Sequence, residues 1–276
     1  MDKVVNSVND IEISSKVKDH LEFTYADYKI FLEDLYKLDD RTLKLFLKTL
    51  KDRELVNNQE TELEDTFLME LYRYHQRKDS IEIVTDLFSD NIITLEEIKK
   101  LHRVVIKGSS DDVSKNYGYR SDNDKWVGGF GTNGDMLVDY CPPDYREVIN
   151  LMNCTLDLLN GDSSNKDLNH ILVKAFVVHG LIAYIQPFGN GNTRLSRVLQ
   201  HGKIWQMTNN EFGIKLPLPV LYLSKNYLMT RPKYRELIKK IAISQNWDAW
   251  LDYNLNMVDE QLYFSQEKLE RVKKLF

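Results

Sequence analysis

The feature that most constrains the fold is an apolar helix that ends at a glycine-rich loop. The stretch from Leu172 to Tyr184 is apolar on nearly every face, and a helix of this kind is buried. Pro187 cannot continue it, because proline lacks an N–H and its ring clashes with the preceding turn. Gly189 and Gly191 then allow a tight backbone path. From about Thr193 apolar positions return at helical spacing. The segment therefore predicts a buried helix, a tight loop and a second helix.

The start of the second helix is suited to an anion. The first amides of a helix have no partner within it, and together with the helix dipole they form a site for phosphate. Arg194 and Arg197 lie in the first turn on one face, where each cation opposes the dipole by roughly 0.3–1 kcal/mol. An anion between the two guanidinium groups would account for this arrangement. The alternative is an ordinary loop whose arginines point into water or pair with nearby acids.

Residues 186–197 read Gln-Pro-Phe-Gly-Asn-Gly-Asn-Thr-Arg-Leu-Ser-Arg. This segment resembles the signature of the Fic family, His-Pro-Phe-x-(Asp/Glu/Asn)-Gly-Asn-(Gly/Thr)-Arg-x-x-Arg, at every position except the first. Members of that family transfer AMP from ATP to hydroxyl groups of proteins. The resemblance implies a mainly α fold with one short β-hairpin, called the flap, and an N-terminal helical extension that carries an inhibitory helix. It covers residues 92–257 well and residues 58–77 weakly.

The resemblance also implies a role for each residue of the loop. Gln186 stands where the family has its catalytic histidine, and Asn190 stands where most members have an acid that binds Mg²⁺. The catalytic positions are Gln186, Asn190 and Arg194, and the nucleotide-binding positions are Gly191, Asn192, Thr193, Arg194 and Arg197. ATP is the implied substrate and Mg²⁺ the implied metal. The implied acceptor is a Ser, Thr or Tyr hydroxyl of a target protein or of the chain itself.

Gln186 decides how much activity is expected. Its amide is neutral at physiological pH and has no basic lone pair comparable to that of imidazole. The loss of a positioned general base costs about 10²–10⁴-fold in rate, so we expect ATP binding with slow or absent transfer. A naturally degenerate enzyme and a substitution that holds the protein inactive both account for the glutamine. Two other readings stay open: a non-catalytic nucleotide- or peptide-binding module, and a different nucleotide or phosphodiester donor.

Two short strands are predicted ahead of the apolar helix. Lys125 to Phe130 and Met136 to Tyr140 have strand character, and Asn133-Gly134 between them is typical of a type I′ hairpin turn. In the family this flap holds the target segment as an added strand, and strand glycines allow such a close approach. The target-binding residues implied are Trp126, Val127, Gly128 and Gly129. The alternative is a surface hairpin without a partner.

The resemblance implies an inhibitory contact as well. Glu64 lies in a stretch similar to the inhibitory helix of some members, where a glutamate pairs with the second signature arginine and misplaces the γ-phosphate of ATP. By that analogy Glu64 pairs with Arg197. The alternative is a solvated helix face, since Glu60, Glu62 and Asp65 surround Glu64.

The rest of the chain is predicted to be helical. We expect an irregular start up to about residue 20 and helices between residues 25 and 51 with a break at Asp39-Asp40. A capping box formed by Thr94 and Glu97 predicts another helix start. We divide the chain into an N-terminal helical region, residues 1–88, and a core with C-terminal helices, residues 89–276.

Composition and net charge limit the classes of partner that we expect for this chain. The chain has 276 residues, of which 42% are hydrophobic and 29% charged, as in globular domains. A net charge of −5 argues against a general nucleic-acid binder. No run is long enough for a membrane helix and the start has no apolar signal segment. We therefore expect a cytoplasmic protein with reduced Cys141 and Cys154 and without nucleic-acid or membrane partners. Export as an effector stays open, and homodimers, common among relatives, are a further expectation.

Overall fold

The computed structural model describes residues 10–56, 87–89, 92–106, 117–130, 132–217 and 219–274. Within these ranges two strands, β1 (Val127–Phe130) and β2 (Met136–Tyr140), form one antiparallel sheet. Short 3-10 turns precede two of the helices. The helices are α1 (Ser15–Tyr36), α2 (Asp40–Val56), α3 (Leu95–Ile106), α4 (Val148–Asn160), α5 (Ile171–Ile185), α6 (Asn192–Phe212), α7 (Ser224–Met229), α8 (Arg231–Ser244) and α9 (Trp247–Lys273). The predicted mainly α fold with one hairpin is confirmed.

Helix α5 forms the centre of the molecule, as its sequence predicts. Every one of its residues is buried, and it packs against α4, α6, α8 and α9. Gly180 allows α9 to approach α5 closely, because a Cβ there would lie 2.8 Å from the ring of Trp247. The Trp250 indole donates a hydrogen bond to the Phe176 carbonyl at 2.8 Å. The core continues past the end of α5, because Gln186, Pro187 and Phe188 are buried as well, so the loop that follows starts inside the core.

The N-terminal helices join the same hydrophobic core. The expectation of an irregular start up to about residue 20 is wrong, because α1 already begins at Ser15. The Ser14 hydroxyl accepts a hydrogen bond from the Val17 amide at 3.4 Å and caps the helix, and apolar side chains of its first turns are buried against α9. The predicted break is confirmed: Asp39 accepts hydrogen bonds from the amides of Arg41 and Thr42 and starts α2.

The hairpin is confirmed, but its predicted turn type is wrong. Gly128 pairs with Val138 and Phe130 with Met136, so the connection is longer than the two residues of a type I′ turn. Such a turn needs positive φ at both central residues. Gly134 has φ 82°, whereas Asn133 is not among the described residues with positive φ. The longer connection removes the twist constraint that selects type I′.

The capping box at the start of α3 is confirmed, since the Thr94 amide donates to Glu97 at 2.7 Å and the Glu97 amide donates to the Thr94 hydroxyl at 3.3 Å. The segment of residues 58–77, with Glu64, lies outside the described residues, so inhibition stays a prediction. The division at residue 88 also stays a prediction. No described helix combines the length and the apolar character needed to cross a membrane.

Candidate functional site

The loop between α5 and α6 is closed by two left-handed residues. Gln186 ends α5 with φ 49°, and its amide donates to the Ile182 carbonyl at 3.1 Å. Gly191, with φ 75°, precedes the first residue of α6. A Cβ on Gly191 would lie 2.3 Å from Cγ2 of Ile106. Glycine is therefore required there both for its backbone conformation and for space.

The buried side chain of Asn192 holds the loop in place by hydrogen bonds. Its Oδ1 accepts from the Phe188 amide at 2.9 Å. Its Nδ2 donates to the Phe188 carbonyl at 2.8 Å and to Oε1 of Gln186 at 3.0 Å. Because the side chain is buried and these hydrogen bonds go to the loop, Asn192 shapes the site from the interior side.

Phe188 anchors the loop in the core and is fully buried. His102 of α3 stacks on its ring at 3.8 Å between centroids, and Tyr119 stacks at 4.9 Å. Nε2 of His102 lies 2.8 Å from the Asn190 carbonyl, so this nitrogen carries the proton. Burial lowers the pKa of His102, and the ring is neutral. These contacts give His102 a structural role beside the loop.

Arg120 fixes the backbone at the end of α5. Its amide donates to the Pro187 carbonyl at 2.9 Å, and its Nε donates to the Gln186 carbonyl at 3.0 Å. A second guanidinium nitrogen donates to the Ile185 carbonyl at 3.4 Å. Arg120 lies far upstream of the loop in the chain, and no local sequence pattern indicates that the two meet.

A cavity of about 300 Å³ opens between the loop, the flap, and helices α6, α7 and α8. Five basic side chains line it, and no carboxylate does among the described residues that form its wall. The cationic members are Lys125, Arg194, Arg197, Arg231 and Arg235. Asp139 offsets the charge of Arg235, but the other like charges in the cavity repel one another, so this wall favours a multiply charged anion.

Gln186 lines this cavity, and both polar groups of its side-chain amide are hydrogen-bonded within the protein. Nε2 donates to the Ala183 carbonyl at 2.6 Å, and Oε1 accepts from Asn192. The side chain is 7% exposed. A neutral amide held in this way can donate or accept a hydrogen bond, but it cannot remove a proton from a hydroxyl.

Arg197, like Arg194, is largely buried in the wall of the cavity. Burial lowers the pKa of Arg197 to about 10, Tyr234 offsets part of that effect, and the charge of Arg194 lowers it further. The guanidinium is still charged at neutral pH. An anion in the cavity would offset the electrostatic cost of this buried cation.

A hydrogen-bonded network lies behind Arg197. Nδ1 of His179 contacts Oε1 of Gln200, and Nε2 accepts from the Tyr234 hydroxyl at 3.0 Å. Burial lowers the pKa of His179 to about 3, so it is a neutral structural group and not a proton acceptor for the cavity. The Tyr227 hydroxyl donates to Gln200 at 2.8 Å. The network fixes two tyrosines that line the cavity.

The flap is attached to the helix that forms the opposite wall. Oδ2 of Asp139 on β2 accepts from Nε of Arg235 on α8 at 2.9 Å. Gly129 lies against the same guanidinium, since a Cβ there would be 3.3 Å from its Nη1.

The structure brings most of the predicted site residues to one cavity. Gln186, Gly191, Thr193, Arg194 and Arg197 line it together with Trp126, Val127 and Gly128 of the flap region. Three predicted residues lie elsewhere in the site: Gly129 faces Arg235, Asn192 lies behind the loop, and the Asn190 side chain is exposed.

The described residues do not fit a Mg²⁺ ion held by the protein. Mg²⁺ is bound through carboxylates and substrate phosphates. Asn190 offers one neutral amide oxygen, and the described wall of the cavity offers cations instead of carboxylates. A metal ion at this place would have to be held by the phosphates of a ligand.

Residues 92–201 match the family model described as Fic/DOC family. A Fic family protein from Desulfovibrio desulfuricans G20 has 18% identity and a TM-score of 0.61, over 93% of this chain and 75% of that one. A Fic domain containing signaling protein from Bacteroides thetaiotaomicron VPI-5482 has 16% identity and a TM-score of 0.56, over 91% of this chain and 98% of that one. At these identities the two likenesses establish a shared fold.

Proposed function

We propose that the chain, whose residues 92–201 match the Fic/DOC family model, is a scaffold for AMP transfer to protein hydroxyls. The cavity beneath the flap would bind the ATP. We further propose that transfer itself is strongly impaired because Gln186 occupies the position of the base. The family generally transfers AMP or related nucleotide groups, which makes a transferase the coarse assignment. The single observation that carries the proposal is the cluster of basic side chains around a helix start that contains Arg194 and Arg197.

The phosphate contacts follow from the chemistry of the wall. The amides at the start of α6 and the guanidinium groups of Arg194 and Arg197 would hold the β- and γ-phosphates. Guanidinium suits this role because its planar fork meets phosphate oxygens in pairs. Tyr227 and Tyr234 supply the aromatic surface on the far wall. Such a cradle positions a triphosphate and neutralises its charge.

In the proposed reaction a hydroxyl oxygen of the target attacks the α-phosphorus. A new O–P bond forms, the bond between the α-phosphorus and the bridging oxygen breaks, and pyrophosphate leaves with the electron pair. The hydroxyl proton needs an acceptor, and Gln186 does not provide one. The flap would hold the target backbone, with Val127 and Gly128 at the edge of the cavity.

The variant Gln186→His tests this proposal. The Ala183 carbonyl, which now accepts from the Gln186 amide, could accept Nδ1–H of the imidazole and leave Nε2 as the base. We expect self-labelling or target labelling with α-labelled ATP to increase by about 10²–10⁴-fold over the present chain. Gln186→Asn, which adds no base, is the matched control and should show no gain. Equal labelling by the histidine variant and the control would remove the proposal of AMP transfer.

A non-catalytic nucleotide-binding module is the second candidate. It is favoured by the hydrogen bonds of Gln186, whose two polar groups serve the loop itself. Calorimetric titration with ATP, combined with the labelling assay, separates the two functions. Binding by both the present chain and Gln186→His, without labelling by either, would support the binding module.

A further inference from the structure

Lys125 lies in the chain segment that leads into β1, and its side chain contacts the loop between α5 and α6. Its Nζ donates to the Gly189 carbonyl at 2.5 Å, one residue before Asn190. An ammonium group has three N–H donors. Among the described residues, Gly189 provides the hydrogen-bond acceptor of Lys125, and no described carboxylate forms an ion pair with it. Donors of this ammonium are therefore available to a ligand in the cavity.

The surroundings of Lys125 are cationic. Arg194, Arg197 and Arg231 line the same cavity. Burial, and to a lesser extent the charge of Arg120, lowers the pKa of Lys125. These positive charges raise the cost of placing a further free cation beside them, while an anion lowers the energy of the whole group.

The loop supplies no charge that would attract a metal ion to this place. Residue 190 is an asparagine with an exposed side chain, and the described wall of the cavity holds no carboxylate. A carboxylate at residue 190 would stand next to the carbonyl to which Lys125 donates. With asparagine there, the charged group that bonds to this part of the loop is the Lys125 ammonium.

We propose that Lys125 supplies the positive charge that a divalent cation supplies in other phosphate sites, so that this chain binds a nucleoside triphosphate without Mg²⁺. The inference rests on the proposed function, since it concerns the same cavity. It adds a binding residue that lies outside the loop and the first turn of α6. It also accounts for the poor fit of the described residues to a protein-held metal ion.

The test is calorimetric titration of the full chain with ATP, once with EDTA and once with Mg²⁺. We expect the Kd of the present chain to change by less than about threefold between the two buffers. Lys125→Gln should weaken binding in EDTA by about tenfold or more, because it removes a charge-assisted hydrogen bond. Lys125→Arg keeps the charge and should retain most of the affinity.

Lys215→Gln is the matched control. It removes one positive charge from an exposed position outside the cavity wall and should leave the Kd unchanged. Loss of binding by the present chain in EDTA with recovery in Mg²⁺ would overturn the inference and leave the proposed function standing. Equal affinity of Lys125→Gln and the present chain in EDTA would overturn it too. Absence of ATP binding in both buffers would overturn the proposed function itself.

Discussion

Gly191 combines a left-handed backbone with a packed environment. Its φ is 75°, and a Cβ would approach Ile106 to 2.3 Å. For Gly191→Ala we expect a loss of unfolding free energy from both sources, the backbone term being about 1–2 kcal/mol and the steric term about 1–3 kcal/mol. Urea unfolding measures the loss, and ATP affinity should fall with it because α6 starts at the next residue.

Gly213 offers the control for that substitution. It ends α6 with φ 61°, and a Cβ there would have nothing within 4 Å. We therefore expect Gly213→Ala to lose only the part of the unfolding free energy that comes from backbone strain, without the steric part. If the two alanine variants lose the same unfolding free energy, the contact with Ile106 does not constrain the loop.

The residues of the loop could largely be predicted from the sequence, and those that support it could not. Pro187, the glycines and the arginines form a continuous segment whose chemistry is local. His102 and Arg120 meet the loop only because α3 and the segment before the flap fold back onto it. Such contacts depend on tertiary packing, which no local pattern in a single sequence encodes.

At the level of elements, the flap depends on its attachment to α8. A two-stranded sheet is marginally stable on its own, and several side chains of β2 are exposed. The Asp139–Arg235 ion pair joins β2 to the helix behind it. For Asp139→Asn we expect faster amide hydrogen exchange in residues 127–140, measured by mass spectrometry, since the amide weakens the charge-assisted bonds.

Asp135 serves as the reference for this prediction, because it is an exposed acid of the same hairpin. Asp135→Asn changes the charge of the flap equally and should leave exchange as it is. Unchanged exchange in Asp139→Asn would show that the sheet is held by other contacts.

The elements predicted best were those with a clear pattern of apolar residues along the sequence. Helix α5 is apolar all round and was placed within a few residues, and both strands of the hairpin lie at the predicted residues. The turn type was missed because Asn133-Gly134 favours a two-residue turn only when the strands pair up to it. Here pairing ends at Phe130 and Met136, and strand register is a tertiary property.

At the level of the whole molecule, His20 connects the first described helix to the last. Its Nδ1 lies 2.9 Å from Asp252 and its Nε2 lies 2.8 Å from Asp259. The Thr24 hydroxyl donates to the same Asp259 at 2.7 Å. Both ring nitrogens face carboxylates, which favours the imidazolium form.

This contact predicts a pH-dependent share of stability. Burial acts to lower the pKa of His20, but the hydrogen bonds to Asp259 and Asp252 outweigh it and leave the pKa raised from 6.5. A raised pKa contributes stability below pH 6.5 that is lost as pH rises through the folded-state value. We expect His20→Gln to cost about 0.5–1 kcal/mol more at acidic than at alkaline pH, as for a partly exposed pair. Urea unfolding of both proteins at two pH values gives the difference.

Asp259→Asn provides the cross-check. In that background the pH-dependent cost of His20→Gln should shrink, because one of the two carboxylates is gone. A cost that is the same at both pH values in the original background would show that the ring acts by packing alone. The sequence did not predict this contact, because residue 20 was assigned to an irregular segment.

Both polar groups of the Gln186 amide are hydrogen-bonded, one to the Ala183 carbonyl and one to Asn192. The loop therefore has its observed conformation without an imidazole at residue 186. Glutamine and histidine codons differ only in their third base. A single transversion therefore separates a gene for this chain from one that places a titratable ring at the same spot. The bonds from Arg120 and Asn192 that shape the loop end on backbone groups of residues 186 and 188, so they stay available with either side chain.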